Sequence, residues 1–362
     1  MLNARTRAGL AVETAGSKAA SGRYALVKTK DGPRIVAFDD NTMRWLDVDT
    51  SQQVGPTVVS DALRDVDQID FSDNQQWLAV LSGDNTMRVV DASNGKPSGQ
   101  PIKLADTSVN TMEFSPDGQT IATGSEDNSA RLWDWRHGRQ VGAAMGGHQY
   151  GVKAIDFSPD GTRLYTRSVD SVRVWDTATQ KQLGSVRTGA ASTAMTVSPD
   201  GTRLAVADYN YIQEWDATAS KTVGPMIGGR GHASQDLAYN SDGRYLASVG
   251  ADDTVRFWDP ASGNQIGDAV DTSGVGTGDD VRFSPDDRRV FITAGRNQVR
   301  DPAGGWSAVG GGVWELPAPD AWADVLCAKL TANPTHDQWK TWITDDPTIG
   351  YRELCPNKAA SS

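Results

Sequence analysis

Residues Gly146–Asp176 read GGHQYGVKAIDFSPDGTRLYTRSVDSVRVWD, an order of residue types that belongs to strands joined by tight turns. Ser158-Pro-Asp-Gly161 places proline where a φ of about −65° is wanted and glycine where φ is positive, which is turn chemistry between two strands. A related copy lies further along. There Leu246-Ala-Ser-Val249 and Thr254-Val-Arg-Phe-Trp258 supply β-branched and aromatic residues on either side of Gly-Ala-Asp-Asp, the composition of short strands.

The pattern recurs along most of the chain. An aromatic residue or its substitute precedes the turn at Lys28, Phe71, Phe114, Phe157, Val197, Tyr239 and Phe283, at spacings of 43, 43, 43, 40, 42 and 44 residues. A second anchor follows at Asp47, Asp91, Asp134, Asp176, Asp216, Asp259 and Glu315, 19 or 20 residues later in the first six units and 32 in the seventh. Seven units therefore keep two anchors in register, and the seventh carries an insertion. A sheet of this size cannot bury both faces alone, so copies must stack. Closing the stack into a ring leaves no exposed end blade.

Composition agrees with this reading. The 362 residues include 37 Gly and 16 Pro, which suits many short strands and turns. With 35 basic against 46 acidic residues the net charge is −11, a sign that repels phosphate backbones, so no nucleic-acid partner is expected. No run approaches the ~18 apolar residues of a membrane span, and the apolar stretch Gly9–Val12 is too short for a secretory leader, so no membrane insertion and a cytoplasmic chain are expected. An exported chain is the alternative if a signal upstream of Met1 has been removed.

On these residues the units resemble WD40 repeats, and residues 9 to about 316 resemble a seven-bladed WD40 β-propeller. The family's Gly-His pair stands at Gly147-His148 and Gly231-His232, and its Trp-Asp ending is intact four times. The resemblance implies a hydrogen-bonded set inside a blade at His148, Thr166, Asp170 and Trp175, and again at His232, Ser248, Asp252 and Trp258. Blade three keeps Thr123, Asp127 and Trp133 without a histidine. Val90 replaces the tryptophan of unit two, and Trp45 sits two places before its acid.

The expected fold class is thus an all-β, seven-bladed propeller over residues 1–317, with a short helical extension over 318–362. Leu-Pro-Ala-Pro follows Glu315 in place of a fourth strand, so a strand at about 9–12 is expected to complete blade seven. Trp322, Val325, Leu326 and Leu330 form a helical face behind Asp320 as N-cap, and a capping box at Thr335 and Gln338 opens a second helix. This Trp-rich tail is similar to those of large actinobacterial WD-repeat proteins, often coupled to signalling ATPase or kinase domains.

Candidate chemistry is sparse. The only cysteines, Cys327 and Cys355, lie in the tail and read either as a disulfide or as two packed thiols. The acidic run Asp65-Val-Asp-Gln-Ile-Asp70 lacks the glycine and distal glutamate of an EF-hand loop and reads as a solvated turn. Neither a catalytic residue, a metal site nor a cofactor is expected. The arginines at 44, 88, 131, 173 and 256 fall just before the tryptophan position and read as hydrogen-bonding groups between blades.

In the family, the loops from fourth to first strand and from second to third share one rim, which receives partners. That rim holds Glu126, Tyr150, Tyr209 and Arg230, together with Arg296, Arg300 and Trp306 of the insertion, and Tyr, Trp and Arg dominate binding energy at interfaces. The leading expectation is a non-catalytic scaffold for a protein or peptide partner, as the sensing module of a larger bacterial signalling protein. The competing one is a small-ligand or hydrolytic propeller whose channel gathers acidic side chains from several blades.

Overall fold

The computed structural model describes residues 23–29, 32–47, 52–104, 108–188, 194–208, 211–228, 233–272, 280–284, 286–294, 297–300, 306–309 and 312–321. They form a seven-bladed β-propeller. Six blades are four-stranded antiparallel sheets with strands in chain order, and the seventh has three strands, Asp280–Phe283, Arg289–Ala294 and Gly312–Pro317. The first strands of blades two to six are Val66–Phe71, Val109–Phe114, Ala154–Phe157, Ala194–Val197 and Ser234–Tyr239. From blade two to blade seven each first strand lies against the next, forming the wall of the central channel. The first strand of blade one, Arg23–Thr29, meets the second and third strands of blade seven, which closes the ring.

The turns follow from their sequence. In blade three the Ser115 hydroxyl donates to Asp117 Oδ1 (2.6 Å), and Gly118 at φ +65° returns its amide to the Ser115 carbonyl (2.7 Å). Blade two has Gln75 at that position, held at φ +57°, where a side chain is strained. The fourth strands carry a bulge opposite the third in blades two to six. In blade two it falls at Gly99, φ +71°, where a Cβ would stand 2.4 Å from the Trp135 carbonyl of the next blade.

The core lies between blades rather than within them. Trp175 packs with Ala122, Leu132 and Met145 of blade three, and Trp258 with Ala205, Ile212 and Ile227 of blade five. In blade one Leu46, buried, fills the position before the acid, whereas Trp45 faces blade two and tilts against Phe71 with ring centroids 5.3 Å apart. Trp45 is therefore an inter-blade residue and not a displaced member of a blade's polar set.

The insertion of blade seven is a hairpin, Asn297–Arg300 with Trp306–Val309, set between strands whose ends pair Ala294 with Gly312. After Pro317 comes a single 3-10 turn, Pro319–Ala321. Asp320, expected to cap a helix whose residues lie outside the described ones, accepts hydrogen bonds from Arg244 Nη2 (3.0 Å) and Tyr245 Oη (3.1 Å) of blade six. The strand expected at 9–12, the helices expected beyond Ala321, and Cys327 and Cys355 all lie outside the described residues.

Candidate functional site

Blade four assembles its polar set, with one extra link. Trp175 Nε1 donates to Thr166 Oγ1 (2.8 Å), His148 Nε2 lies 2.8 Å from the same oxygen, and His148 Nδ1 lies 3.0 Å from Ser171 Oγ. Ser171 in turn donates to Asp170 Oδ1 at 3.4 Å. Asp170, expected as a member of the set, joins it through the hydroxyl of Ser171, which stands between it and the histidine. Because the single Ser171 proton goes to Asp170, Nδ1–H is the donor to Ser171, and Nε2 accepts from Thr166. Burial, followed by the charge of Arg173, pushes the His148 pKa down to about 4, so the ring is neutral at neutral pH. A donor chain closed in this way fastens one blade and leaves no free base for chemistry.

The other blades keep parts of the set. Trp133 Nε1 donates to Thr123 Oγ1 and Trp258 Nε1 to Ser248 Oγ, each at 2.8 Å, and His232 lies outside the described residues. Asp127 and Asp252 turn to arginines of their own blades, Arg131 Nη2 (2.6 Å) and Arg256 Nη2 (2.8 Å). Arg88 donates to Ser82 Oγ (3.0 Å) and Arg173 to the Gly147 carbonyl (2.5 Å). The arginines at 88, 131, 173 and 256 thus brace loops within their own blade or its entry, which corrects the reading of them as links between blades.

Of the rim residues, Glu126 and Tyr150 lie on loops that touch. The loop carrying Tyr150 runs over the turn carrying Glu126, so closely that a Cβ on Gly151 would stand 2.3 Å from Glu126 Oε2. Val152 donates its amide to the Ser125 carbonyl (3.0 Å), Asn128 Nδ2 donates to the Gln149 carbonyl (3.3 Å), and Ser168 Oγ donates to the Tyr150 carbonyl (3.0 Å). Lys153 Nζ donates to Glu126, whose pKa is lowered chiefly by that bond. The backbone is therefore fixed while the Tyr150 side chain, 55% exposed, stands out from it. Tyr209, Arg230 and Arg296 lie outside the described residues, and of Trp306 the structure describes the backbone, paired with Arg300.

The channel wall holds carboxyls whose role sequence reasoning did not recognise. Asp70 belongs to the first strand of blade two, not to a solvated turn, and its Oδ2 accepts the Phe114 amide of blade three (2.6 Å). Glu113 takes the Phe157 amide of blade four, and Asp156 Oδ2 takes the Val197 amide of blade five (3.0 Å). In blade six Asp236 Oδ2 accepts from the Val281 amide (3.0 Å) and Arg282 Nη1 (2.9 Å) of blade seven. Carboxyls thus clip blade to blade around the wall. Burial pushes the Asp70 and Asp156 pKa values up to about 7 and raises Glu113 well above the carboxylate range, the charges of Asp156 and Asp70 adding to the last. The available signal was an acid immediately before the aromatic anchor in three successive units.

No helix among the described residues is long and apolar enough to cross a membrane. Residues 99–134, 139–176 and 227–259 match the family model described as WD domain, G-beta repeat. No curated protein matches the chain. Each matched segment begins in the fourth strand of one blade and ends with the third strand of the next, so the repeats interlock neighbouring blades. These three segments, similar to WD40 repeats, thus sit in a seven-bladed β-propeller.

Proposed function

We propose that the chain is a non-catalytic scaffold that receives a protein or peptide on the rim formed by the second-to-third and fourth-to-first loops. WD40 propellers commonly serve as interaction scaffolds. The single observation that carries the reading is the braced junction of Glu126 and Tyr150, where a rigid backbone presents an exposed aromatic ring at little entropic cost to a partner. Tyr209, Arg230, Arg296 and Trp306 extend this surface around the rim by their place in the repeat. Tyr150→Ala with Glu126→Arg should weaken binding of the cognate partner at least about tenfold, the loss expected for a hot spot, and Arg230→Glu with Trp306→Ala should do the same. Unchanged binding in both double variants would remove the rim from the account.

On this reading the propeller is the sensing arm of a cytoplasmic bacterial signalling protein, a role that rests on the sequence resemblance of the tail. An ATPase or kinase domain encoded in the same reading frame would support it. An unrelated neighbouring domain would not. Residues 9–12 are proposed to supply the fourth strand of blade seven; removal of residues 1–15 should then lower the unfolding midpoint markedly, and an unchanged midpoint would refute that closure.

A further inference from the structure

From blade one to blade seven, each blade meets the next through a recurring pair of side chains. One precedes the tryptophan position of the third strand, and the other is the first-strand anchor of the following blade. Trp45 lies against Phe71 with ring centroids 5.3 Å apart, and Phe257 against Phe283 at 6.3 Å. Val89 with Phe114, Leu132 with Phe157 and Val174 with Val197 each share an apolar cluster. Apolar contact is non-directional and tolerates exchange of one hydrophobe for another, so these five joints discriminate little between one blade and the next.

The joint between blades five and six is built differently. Its third-strand residue is Glu214, 1% exposed, and it faces Tyr239, the only tyrosine among the seven anchors. Tyr239 Oη donates to Glu214 Oε1, and Arg203 Nη1 of blade five donates to both carboxylate oxygens at 3.1 and 3.3 Å. The same guanidinium stands 5.9 Å from the centre of the Tyr239 ring. Burial, followed by the charge of Glu214, raises the Tyr239 pKa well above the ordinary phenol value, so the ring keeps the proton it donates.

We propose that Glu214 and Tyr239 form a key that fixes which blade follows blade five, and with it the order in which the ring assembles. Set against Phe71, Phe114, Phe157, Val197 or Phe283, Glu214 would lose the phenol and be buried beside an apolar side chain, an unfavourable place for a carboxylate. Tyr239 set against any of the other third-strand residues would bury an unpaired hydroxyl. Each face of this joint thus rejects every partner but the other. Chains built of similar units misassemble through surfaces that resemble one another, and one buried polar contact is a known way of fixing register in a repetitive assembly, at a cost in stability. The inference is independent of the rim, because neither residue belongs to the Glu126–Tyr150 junction.

The test replaces the key with the pair found between blades two and three, as Glu214→Val with Tyr239→Phe. Arg203 is compatible with that change, since Arg163 stands at the matching position beside Val174 in blade four. Two populations of the full chain carrying different tags are unfolded in urea, mixed and refolded together, and capture of one tag measures how much of the other is joined to it. Populations refolded separately and then mixed give the background. The double variant should melt at or above the wild-type temperature, while its co-captured fraction rises several-fold. Thr166→Val, which destabilises blade four without touching a joint, should leave that fraction at the wild-type value. A wild-type fraction in the folded double variant would overturn the proposal, and so would an equal rise in Thr166→Val, which would assign the effect to lost stability. Should the double variant not fold, Tyr239→Phe alone decides, because it keeps the bridge from Arg203 to Glu214 and removes only the phenol. Unchanged co-capture in that chain, or loss of the fold in both, would make the pair a structural contact and overturn the proposal too.

Discussion

Blades four and two solve the same structural problem in opposite ways. In blade four the link between second and third strands is polar, with Thr166 receiving Trp175 Nε1 and sharing a proton with His148. The equivalent residues of blade two are Val80 and Val90, both with no exposed surface, in a cluster with Leu78, Met43 and Leu63. Both solutions are complete at these positions, since Thr166, Trp175 and His148 are hydrogen-bonded to one another in one and the two valines bring no polar side-chain group in the other. The difference teaches that these positions need to be filled and satisfied, not that they need a tetrad. What identifies the repeat is thus a blade's internal fastening, and binding must be sought elsewhere.

The comparison can be broken most severely at Trp175. Trp175→Ala should lower unfolding free energy by about 3–5 kcal/mol, because it opens a cavity beside Leu132 and Met145, whereas Val90→Ala in blade two should cost about 2 kcal/mol. Denaturant unfolding of the two variants checks the gap. Next in size is Thr166→Val, which places blade two's residue in blade four. It should cost about 2–3 kcal/mol by orphaning the Trp175 and His148 nitrogens. The triple variant His148→Leu, Thr166→Val, Trp175→Phe, which removes the polar set but keeps an aromatic ring against Leu132 and Met145, should recover part of that loss if an apolar fastening is an equal solution.

A pH test sharpens the same contrast. His148 has a folded pKa of about 4, below its unfolded value of about 6.5, so its contribution is present above the unfolded value. That contribution is lost as pH falls from there through about 4. Asp70 and Asp156 act with the opposite sign, since their raised values favour the fold at low pH and that contribution is lost as pH rises through about 7. The difference in stability between wild type and His148→Phe isolates the histidine, and it should narrow on acidification. The smallest effect lies in the turns. Gln75→Gly in blade two, matching Gly161 of blade four at φ +69°, should stabilise by about 0.5–1 kcal/mol through relief of left-handed strain, read as a higher melting temperature.

Much of this architecture was legible because it repeats. Phe114, Phe157 and the Ser-Pro-Asp-Gly turns announce themselves by period, and Thr166 and Trp175 by their place in it. The link through Ser171 was not legible, because one bond length decides whether His148 meets a hydroxyl or a carboxylate. Nor was the destination of Arg131 and Arg256: strand alternation gives their face but not that Asp127 and Asp252, four residues earlier, would curl back to meet them. The channel acids were present in the sequence as Asp70, Glu113 and Asp156, each immediately before an aromatic anchor. Their meaning needed the ring, which alone brings the amides of Phe114, Phe157 and Val197 to them.

The central claim is that the rim beside Tyr150, and not the repeat's fastening, receives a protein partner. The most direct measurement replaces Tyr150 with a photo-crosslinking amino acid in cells that express the chain, and places the same group at Arg244, next to Asp242 on the opposite face. The account predicts a discrete protein adduct from position 150 that disappears with Glu126→Arg, and none from position 244. Equal adducts from both positions, or an adduct only from position 244, would contradict it.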